Sequence, residues 1–382
     1  DHMRLNVLNG VVNLVTGERE DHSPELLMTK LAPVEYNLEA LSDLWESFIR
    51  TVTGGDEELI KFLQKAVGYS LTGNTSEDVL FFVYGPTATG KSTFLEAIKA
   101  TVGDYARTTD FESFLRRQSG GGPRDDIAKL EGARMVISVE VDEGKRLAEG
   151  LIKQLTGGDT IACRPLYKST IQFLPVMKLW LAANHKPKVS AEDSAMWRRI
   201  RILPFDKTIP EDKRDPFLKD KLKNTTEIGP VILAWAVKGC LLWRQEGLKP
   251  PKVVKEASEE YRQSQDIIGE FIDDQIEACD GERLPRATVF KAYKQWCEDN
   301  GEKPVYQSTL TQKLKERGWK DATRGKERSF EGYKLKNPFE QVGQPDGSTE
   351  NETVPGESSI DMFNKIFSDK IDLNSGDLEV TH

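Results

Sequence analysis

Apolar positions along this chain change period several times, and each change predicts an element. Between residues 38 and 71 they recur at helical spacing: Leu41, Leu44, Trp45, Phe48 and Ile49, then Leu59, Ile60, Leu63, Val67 and Leu71. Thr53-Gly54-Gly55-Asp56 separates the two helices, with Asp56 placed to cap the second. Ahead of them, apolar residues flank Asn9-Gly10, a hairpin signal, over residues 5–16. Val79 to Tyr84, Arg134 to Val139 and Lys178 to Ala183 are short continuous apolar runs, the mark of strands buried on both faces. Helical patterns follow the first of these (Phe94, Leu95, Ile98, Val102) and the second (Leu147 to Leu155). Ile161 to Phe173 alternates like a hairpin. Residues 228–278 return to helical spacing, with Trp235, Val237, Leu241 and Leu242 as core and Lys249-Pro250-Pro251 as a break.

Strands alternating with helices over residues 77–208 predict an α/β layer fold with a parallel sheet. Four segments follow from the pattern. Residues 1–76 form a mixed, mostly helical module, 77–264 the α/β core with a helical extension, and 265–336 a separate unit. Residues 337–382 are an acidic tail, poor in core formers and expected to be disordered. Within 265–336 the pattern reads as helices at 266–278, 286–299 and 306–317. A strand pair follows at 319–323 and 329–335. Three helices and a β-hairpin predict a winged helix.

Composition narrows the class. The 382 residues are 38% hydrophobic and 30% charged, and no apolar run approaches the roughly 18 residues of a membrane span. Cys163, Cys240, Cys279 and Cys297 are scattered, with no metal-ligand spacing, and read as reduced packing thiols of a cytosolic protein. Asp1-His2-Met3 reads as a vector junction, so the natural chain is expected to extend further. The net charge of −9 argues against nucleic acid until it is divided. Residues 341–382 hold nine acids against two lysines, a net of −7, whereas residues 303–336 hold ten Lys or Arg against four acids, a net of +6.

The chemistry begins at the first buried strand. It runs straight into Gly85-Pro86-Thr87-Ala88-Thr89-Gly90-Lys91-Ser92-Thr93, which fits the phosphate-binding pattern GxxxxGK(S/T) between a strand and a helix. Glycines let backbone N–H groups wrap a phosphate chain, and the helix N-terminus adds positive partial charge. Lys91 is suited to the β- and γ-phosphates and Ser92 to Mg²⁺. A nucleotide hydrolase also needs acids at the end of a neighbouring strand, and Glu140, Asp142 and Glu143 end the second run. Glu140 is the first candidate for the metal, while Asp142 and Glu143 compete for the second acidic role. Asn184 ends the third run, where an amide can orient water. Arg198 and Arg199 follow; an arginine fork suits a γ-phosphate. Tyr167 and Lys168 stand at the expected hairpin tip, near Arg164. A lysine there grips phosphates without regard to sequence, and the plain alternative is an exposed lysine on a structural hairpin.

These stretches are recognisable together. GPTATGKST, MVISVE with VDEG, LIKQLTGGD, LWLAANHKP and WRRIRILPF resemble, in this order and spacing, superfamily III helicases, in particular the helicase half of phage and plasmid primase-helicases. The resemblance spans residues 5–210, with 5–76 like the helicase-associated module. It implies an AAA+ ATPase that encircles DNA as a ring, usually a hexamer. Lys91 and Ser92 are then Walker A, Glu140 with Glu143 Walker B, Asn184 sensor 1, and Arg198 or Arg199 the finger reaching a neighbour's ATP. Val141 separates acids that the family often pairs, and no primase module precedes the helicase region in this chain.

The resulting expectation is an ATP- and Mg²⁺-dependent DNA helicase of phage or mobile-element replication, acting on single-stranded and forked DNA in a bacterial cytoplasm. The alternative is an initiator that uses ATP only to assemble at an origin. Gln307, Ser308, Thr309, Gln312, Lys313 and Lys315 on the third helix of the C-terminal unit, with Arg324 and Lys326 in its wing, fit either role. Met362-Phe363 and Ile366-Phe367 mark a candidate docking motif for a replication partner in the tail.

Overall fold

The structure is a computed structural model that describes residues 1–117, 124–139, 145–324 and 327–336. It opens with a three-stranded antiparallel sheet of β1 (Arg4–Val7), β2 (Gly10–Asn13) and β3 (Arg19–Glu20). The turn between β1 and β2 falls at Leu8-Asn9, one residue ahead of the expected dipeptide, and Gly10 opens β2 opposite Val7. Helices α1 (Asp43–Thr53) and α2 (Glu57–Ser70) follow. The Ser42 hydroxyl accepts from the Leu44 N–H at 3.2 Å, and the Asp56 carboxylate from the Leu59 N–H at 3.0 Å, so both helices are capped.

Next come β4 (Leu80–Tyr84), α3 (Lys91–Val102), β5 (Ala106–Thr108), α4 (Asp125–Ala128), β6 (Met135–Val139) and α5 (Glu149–Thr156). The hairpin β7 (Ile161–Cys163) and β8 (Ile171–Phe173) leads to β9 (Lys178–Ala183), α6 (Ser194–Trp197) and β10 (Ile200–Pro204). Five of these strands form one parallel sheet in the order β10-β4-β9-β6-β5. The alternation inside each run now has a meaning. Leu80 and Phe82 face one apolar layer with Leu179, Leu181 and Ile202, while Phe81 and Val83 face the other with Trp180 and Phe205. Each fully buried aromatic is worth about 1.5–3 kcal/mol relative to exposure.

Helices α7 (Leu218–Leu222), α8 (Gly229–Glu246) and α9 (Lys252–Gln263) complete the core. α8 crosses α2 where glycines meet. A Cβ on Gly68 would lie 2.1 Å from the Cys240 nitrogen, and one on Gly239 would lie 2.0 Å from the Gln64 carbonyl oxygen. Through this crossing, residues 1–76 share an apolar cluster with one face of the sheet and do not close a core of their own. α9 covers the edge of β10, whose Ile202 N–H is taken by the Ser258 hydroxyl at 3.0 Å.

Two buried cations stand at the C-terminal end of α2, where the helix dipole is negative. Arg134 donates to the Leu71 carbonyl at 2.7 Å, and Lys178 to the carbonyls of Thr72, Asn74 and Val176. Desolvation pushes the Arg134 guanidinium down to about 10 and the Lys178 ammonium well below its ordinary value.

The C-terminal unit departs from the sequence reading. α10 (Ile267–Gln275) stops early, and β11 (Ile276–Pro285) takes residues expected to be helix end and loop. α11 (Arg286–Asp299), α12 (Gln307–Glu316), β12 (Asp321–Arg324) and β13 (Glu327–Leu335) follow. The order is thus helix, strand, helix, helix, strand, strand, with an antiparallel sheet β11-β13-β12. β11 escaped notice because Glu277-Ala278-Cys279-Asp280-Gly281-Glu282-Arg283 has no period-two pattern. Its register shifts between Ala278 and Arg283, and within it only Ile276 and Leu284 are buried.

Candidate functional site

All five sheet strands end toward one side. β4 lies there between β10 and β9, strands far from it in sequence, which opens a crevice beyond its carboxyl end. The loop 85–90 fills this position. Gly85 cannot be another residue: the Phe205 N–H donates to the Tyr84 carbonyl at 2.7 Å, and a Cβ on Gly85 would sit 1.9 Å from the Phe205 carbonyl oxygen. Gly90 is the N-cap of α3 and offers no side chain to the first-turn N–H groups, which leaves them to meet an anion.

Lys91 is buried in the loop. Its ammonium donates to the carbonyls of Gly85 and Pro86, each at 2.6 Å, and lies 3.4 Å from the Thr89 hydroxyl. Burial lowers its pKa. The loop opens on a cavity of about 840 Å³ lined by residues 87–93, 108–112, Leu115, Val139 and residues 182–185. Lys91, Ser92 and Asn184 therefore share one cavity, although more than ninety residues separate Ser92 from Asn184. Val139 ends β6 at the same wall. Glu140, Asp142 and Glu143 come directly after it but lie outside the described residues. Volume, backbone donors and an ammonium suit a nucleoside triphosphate. Among the described residues no cluster of His, Cys, Asp or Glu is arranged to hold a metal, so Mg²⁺ would depend on Ser92, on the acids after Val139 and on the phosphates themselves.

The sequence reading missed part of this wall. Thr108, Thr109, Asp110 and Glu112 follow β5, and His185 follows Asn184. Three residues of strand are too few to carry a period, so β5 left no signal. The polar run Arg107-Thr108-Thr109-Asp110 behind Tyr105-Ala106 was the only clue.

The two candidate arginines part company. Arg199 is buried: its Nε donates to the Thr156 hydroxyl at 3.1 Å, its Nη1 to the Ala195 carbonyl at 2.8 Å, and Asp78 lies 3.6 Å away. Arg198 is exposed beside a second cavity, of about 410 Å³. Both lie before Ile200, which pairs with Leu80 at the start of β4, whereas the loop 85–90 begins after Tyr84 at its end. About 13 Å of strand lies between.

The hairpin projects as expected. Ile161, Cys163 and Phe173 anchor it in the core, and the Arg124 N–H ties it down at the Arg164 carbonyl, 2.9 Å away. Tyr167, 97% exposed with φ +58°, stands at the tip beside exposed Lys168; Arg164 is exposed at its base.

Several cations of the basic stretch 303–336 are paired with acids in the fold. The unit 265–336 holds fourteen acids and fourteen Lys or Arg, so the acidic residues of α10, β11 and α11 cancel the net +6. Lys313 is 2.5 Å from Glu192 of the core, and Lys315 is 2.5 Å from Asp321, which Arg286 also contacts. Arg317 donates to Asp266 at 2.8 Å. Burial pushes the Glu192 carboxyl up, but the Lys313 hydrogen bond outweighs this and holds it below its ordinary value. Hydrogen bonds from Lys315 and Arg286 hold Asp321 low in the same way. Arg324 ends β12, and Lys326 lies outside the described residues.

A D5 N-terminal-like family model matches residues 1–54, a family of unknown function (DUF5906) residues 83–199, and a poxvirus D5 protein-like model residues 263–364. The chain is 26% identical over 315 residues to the protein named "Putative helicase L207/L206" of Acanthamoeba polyphaga mimivirus, covering 76% of this chain and 32% of that one. It is 27% identical over 259 residues to "Putative helicase 022R" of Frog virus 3 (isolate Goorha), covering 63% and 26%. Primase D5 of fowlpox virus (strain NVSL) is 29% identical over 136 residues, covering 34% and 17%. The chain thus spans a third or less of the length of these relatives. The apo C-terminal region of NrS-1 has the same fold, with a TM-score of 0.52 at 11% identity, over 79% of this chain and 77% of that one. The resemblance to primase-helicases carried by the five motifs is borne out, as is the α/β fold. No helix among the described residues is long and apolar enough to cross a membrane.

Proposed function

We propose that this chain is the ATP-driven DNA helicase motor of a viral or phage replication protein. One observation carries the reading: Lys91, Ser92, Asn184 and the end of β6 line a single cavity at the carboxyl edge of a parallel sheet. In this reading the loop and α3 hold the triphosphate, with Lys91 leaving the Gly85 and Pro86 carbonyls for the β- and γ-phosphates. Ser92 and Glu140 would hold Mg²⁺, which when bound would supply positive charge to the phosphate oxygens. Glu143 or Asp142 polarises the attacking water, and Asn184 orients it.

Arg198 acts in trans. A finger on the wrong side of its own sheet cannot reach its own nucleotide, but a neighbour in a ring can receive it. Of the pair 198 and 199, only Arg198 is unengaged enough to do so. The hairpin tip, with Lys168 on phosphate and Tyr167 on a base, grips the strand in the channel of a homo-hexamer. The C-terminal unit, read as a winged helix, engages duplex at the fork. The names of the relatives support helicase work in virus replication; a replication partner for the tail belongs to the same proposal.

The test is Lys91→Ala. Hydrolysis of ATP is expected to vanish while the melting temperature stays within a few degrees; wild-type turnover in the purified variant would remove the site. Strand displacement of a forked duplex at physiological salt separates a helicase from an initiator that only assembles on DNA.

A further inference from the structure

The cavity beside Arg198 lies between α6, the start of β10 and α9, with Trp197 and Val254 in its apolar wall. Four cations line it, Arg198, Arg201, Lys255 and Arg262, against one carboxylate, Glu259. Among the described residues no acid stands within ion-pair distance of any of the four. Lys255, Glu259 and Arg262 are spaced four and three residues apart, so α9 presents them along one face. Arg201 is built into the wall. Its Nη1 donates to the Arg198 carbonyl at 2.7 Å and the Ile200 carbonyl at 3.1 Å, which fixes the turn that carries Arg198. Its Nε is buried with no acceptor. A concave site with low-dielectric walls and a net positive charge concentrates field on an incoming anion. Such a site so far from the chain's own phosphate loop serves an anion brought from outside.

We propose that Lys255 and Arg262 are phosphate-contacting residues of the shared nucleotide site. With Arg198 they face the polyphosphate of a nucleoside triphosphate bound by a second copy of the chain, and Arg201 is the residue that positions Arg198. The inference rests on the ring reading above and extends it from one finger to a cationic face. It also accounts for the contrast with Arg199, whose side chain is consumed by Thr156 and Asp78 and is not part of that face.

The experiment uses the double variant Lys255→Gln/Arg262→Gln at a concentration where light scattering shows intact rings. Turnover should fall about tenfold or more, short of the roughly 10³ expected for loss of the finger itself. Binding of a fluorescent ATP analogue to dilute single subunits should be unchanged, because each subunit's own loop is untouched. Mixing with Lys91→Ala subunits should recover activity, since one variant supplies intact cations and the other an intact loop. Lys255→Arg/Arg262→Lys, which keeps the charge, should retain most turnover. The inference is overturned by wild-type turnover in the double variant, by an equal loss of analogue binding in dilute subunits, by failure to recover in the mixture, or by equal inactivity of the charge-preserving variant. The ring reading fails separately: Arg198→Ala and Lys91→Ala would then not complement each other, whereas hydrolysis by Lys91→Ala would remove the nucleotide site itself.

Discussion

Four cations line the cavity under α9, and four others, Arg286, Lys313, Lys315 and Arg317, stand out in the C-terminal unit. Three of the second set, Lys313, Lys315 and Arg317, belong to the net +6 stretch 303–336, and all four members face a carboxylate: Asp321, Glu192, Asp321 again and Asp266. The first set comes from an unremarkable stretch and faces almost none. A Lys or Arg held by a carboxylate releases few counterions when a polyanion arrives, and its partner must be exposed first. Free charge, not local excess of charge, is what an anion meets, and here the two lie in different regions.

The sharpest way to break this contrast compares adjacent residues. Arg198→Ala is expected to cost about 10³ in turnover, as a finger would, with an unaltered melting temperature. Arg199→Ala should instead cost about 2–3 kcal/mol of stability, because it orphans buried partners at Thr156 and Ala195. Thermal melts and steady-state ATPase on the two variants decide it. If Arg199→Ala melts normally and Arg198→Ala hydrolyses ATP normally, engagement in the fold says nothing about function here.

A second prediction concerns the hairpin, whose tip is as unpaired as the pocket under α9. Lys168→Ala should leave basal hydrolysis nearly intact and abolish strand separation, since no group of the nucleotide cavity is touched. DNA stimulation of the ATPase should fall with it. A Lys168→Ala ring that unwinds a forked duplex at the wild-type rate would return the tip to a structural role.

The smallest effect tests the paired set. Glu192→Gln removes the partner of Lys313 and frees one cation on α12. If α12 meets duplex, affinity should rise modestly and the dependence of log K on log salt should steepen by about 0.9. The pair is half exposed, so little change in melting is expected. An unchanged slope would mean that this helix face meets no phosphate.

Much of the architecture is legible from local signals. Asp56 capping α2, a hairpin turn beside Asn9-Gly10, the buried strands β4, β6 and β9, and the glycine loop all rest on residues within one element or its border. What the pattern hid has a common cause. β5 is three residues long, and β11 is polar and bulged, so neither carries a period; both exist because a neighbouring strand supplies their hydrogen bonds. The same limit applied to the site. Lys91, Ser92 and Asn184 could be named from their elements, and His185 follows Asn184 at the end of β9, whereas Asp110 and Glu112 join them only because β5 closes the sheet beside β6.

By itself, the sequence determined the glycine loop 85–90, the strand–loop–helix that holds it and the hairpin with Tyr167 and Lys168 at its tip. In each of these, conformation follows from glycine, alternation or capping over a few neighbouring residues. Only the tertiary structure decided which charges stay free. Arg198 and Arg199 are indistinguishable in sequence and differ by which way the start of β10 turns them. Lys313 and Lys315 look like a nucleic-acid face until Glu192 and Asp321 arrive from elsewhere in the chain. Arg134 and Lys178 look misplaced until the carbonyls at the end of α2 are seen to hold them. Electrostatic interaction depends on distance through space and on desolvation, and neither quantity is a function of separation along the chain.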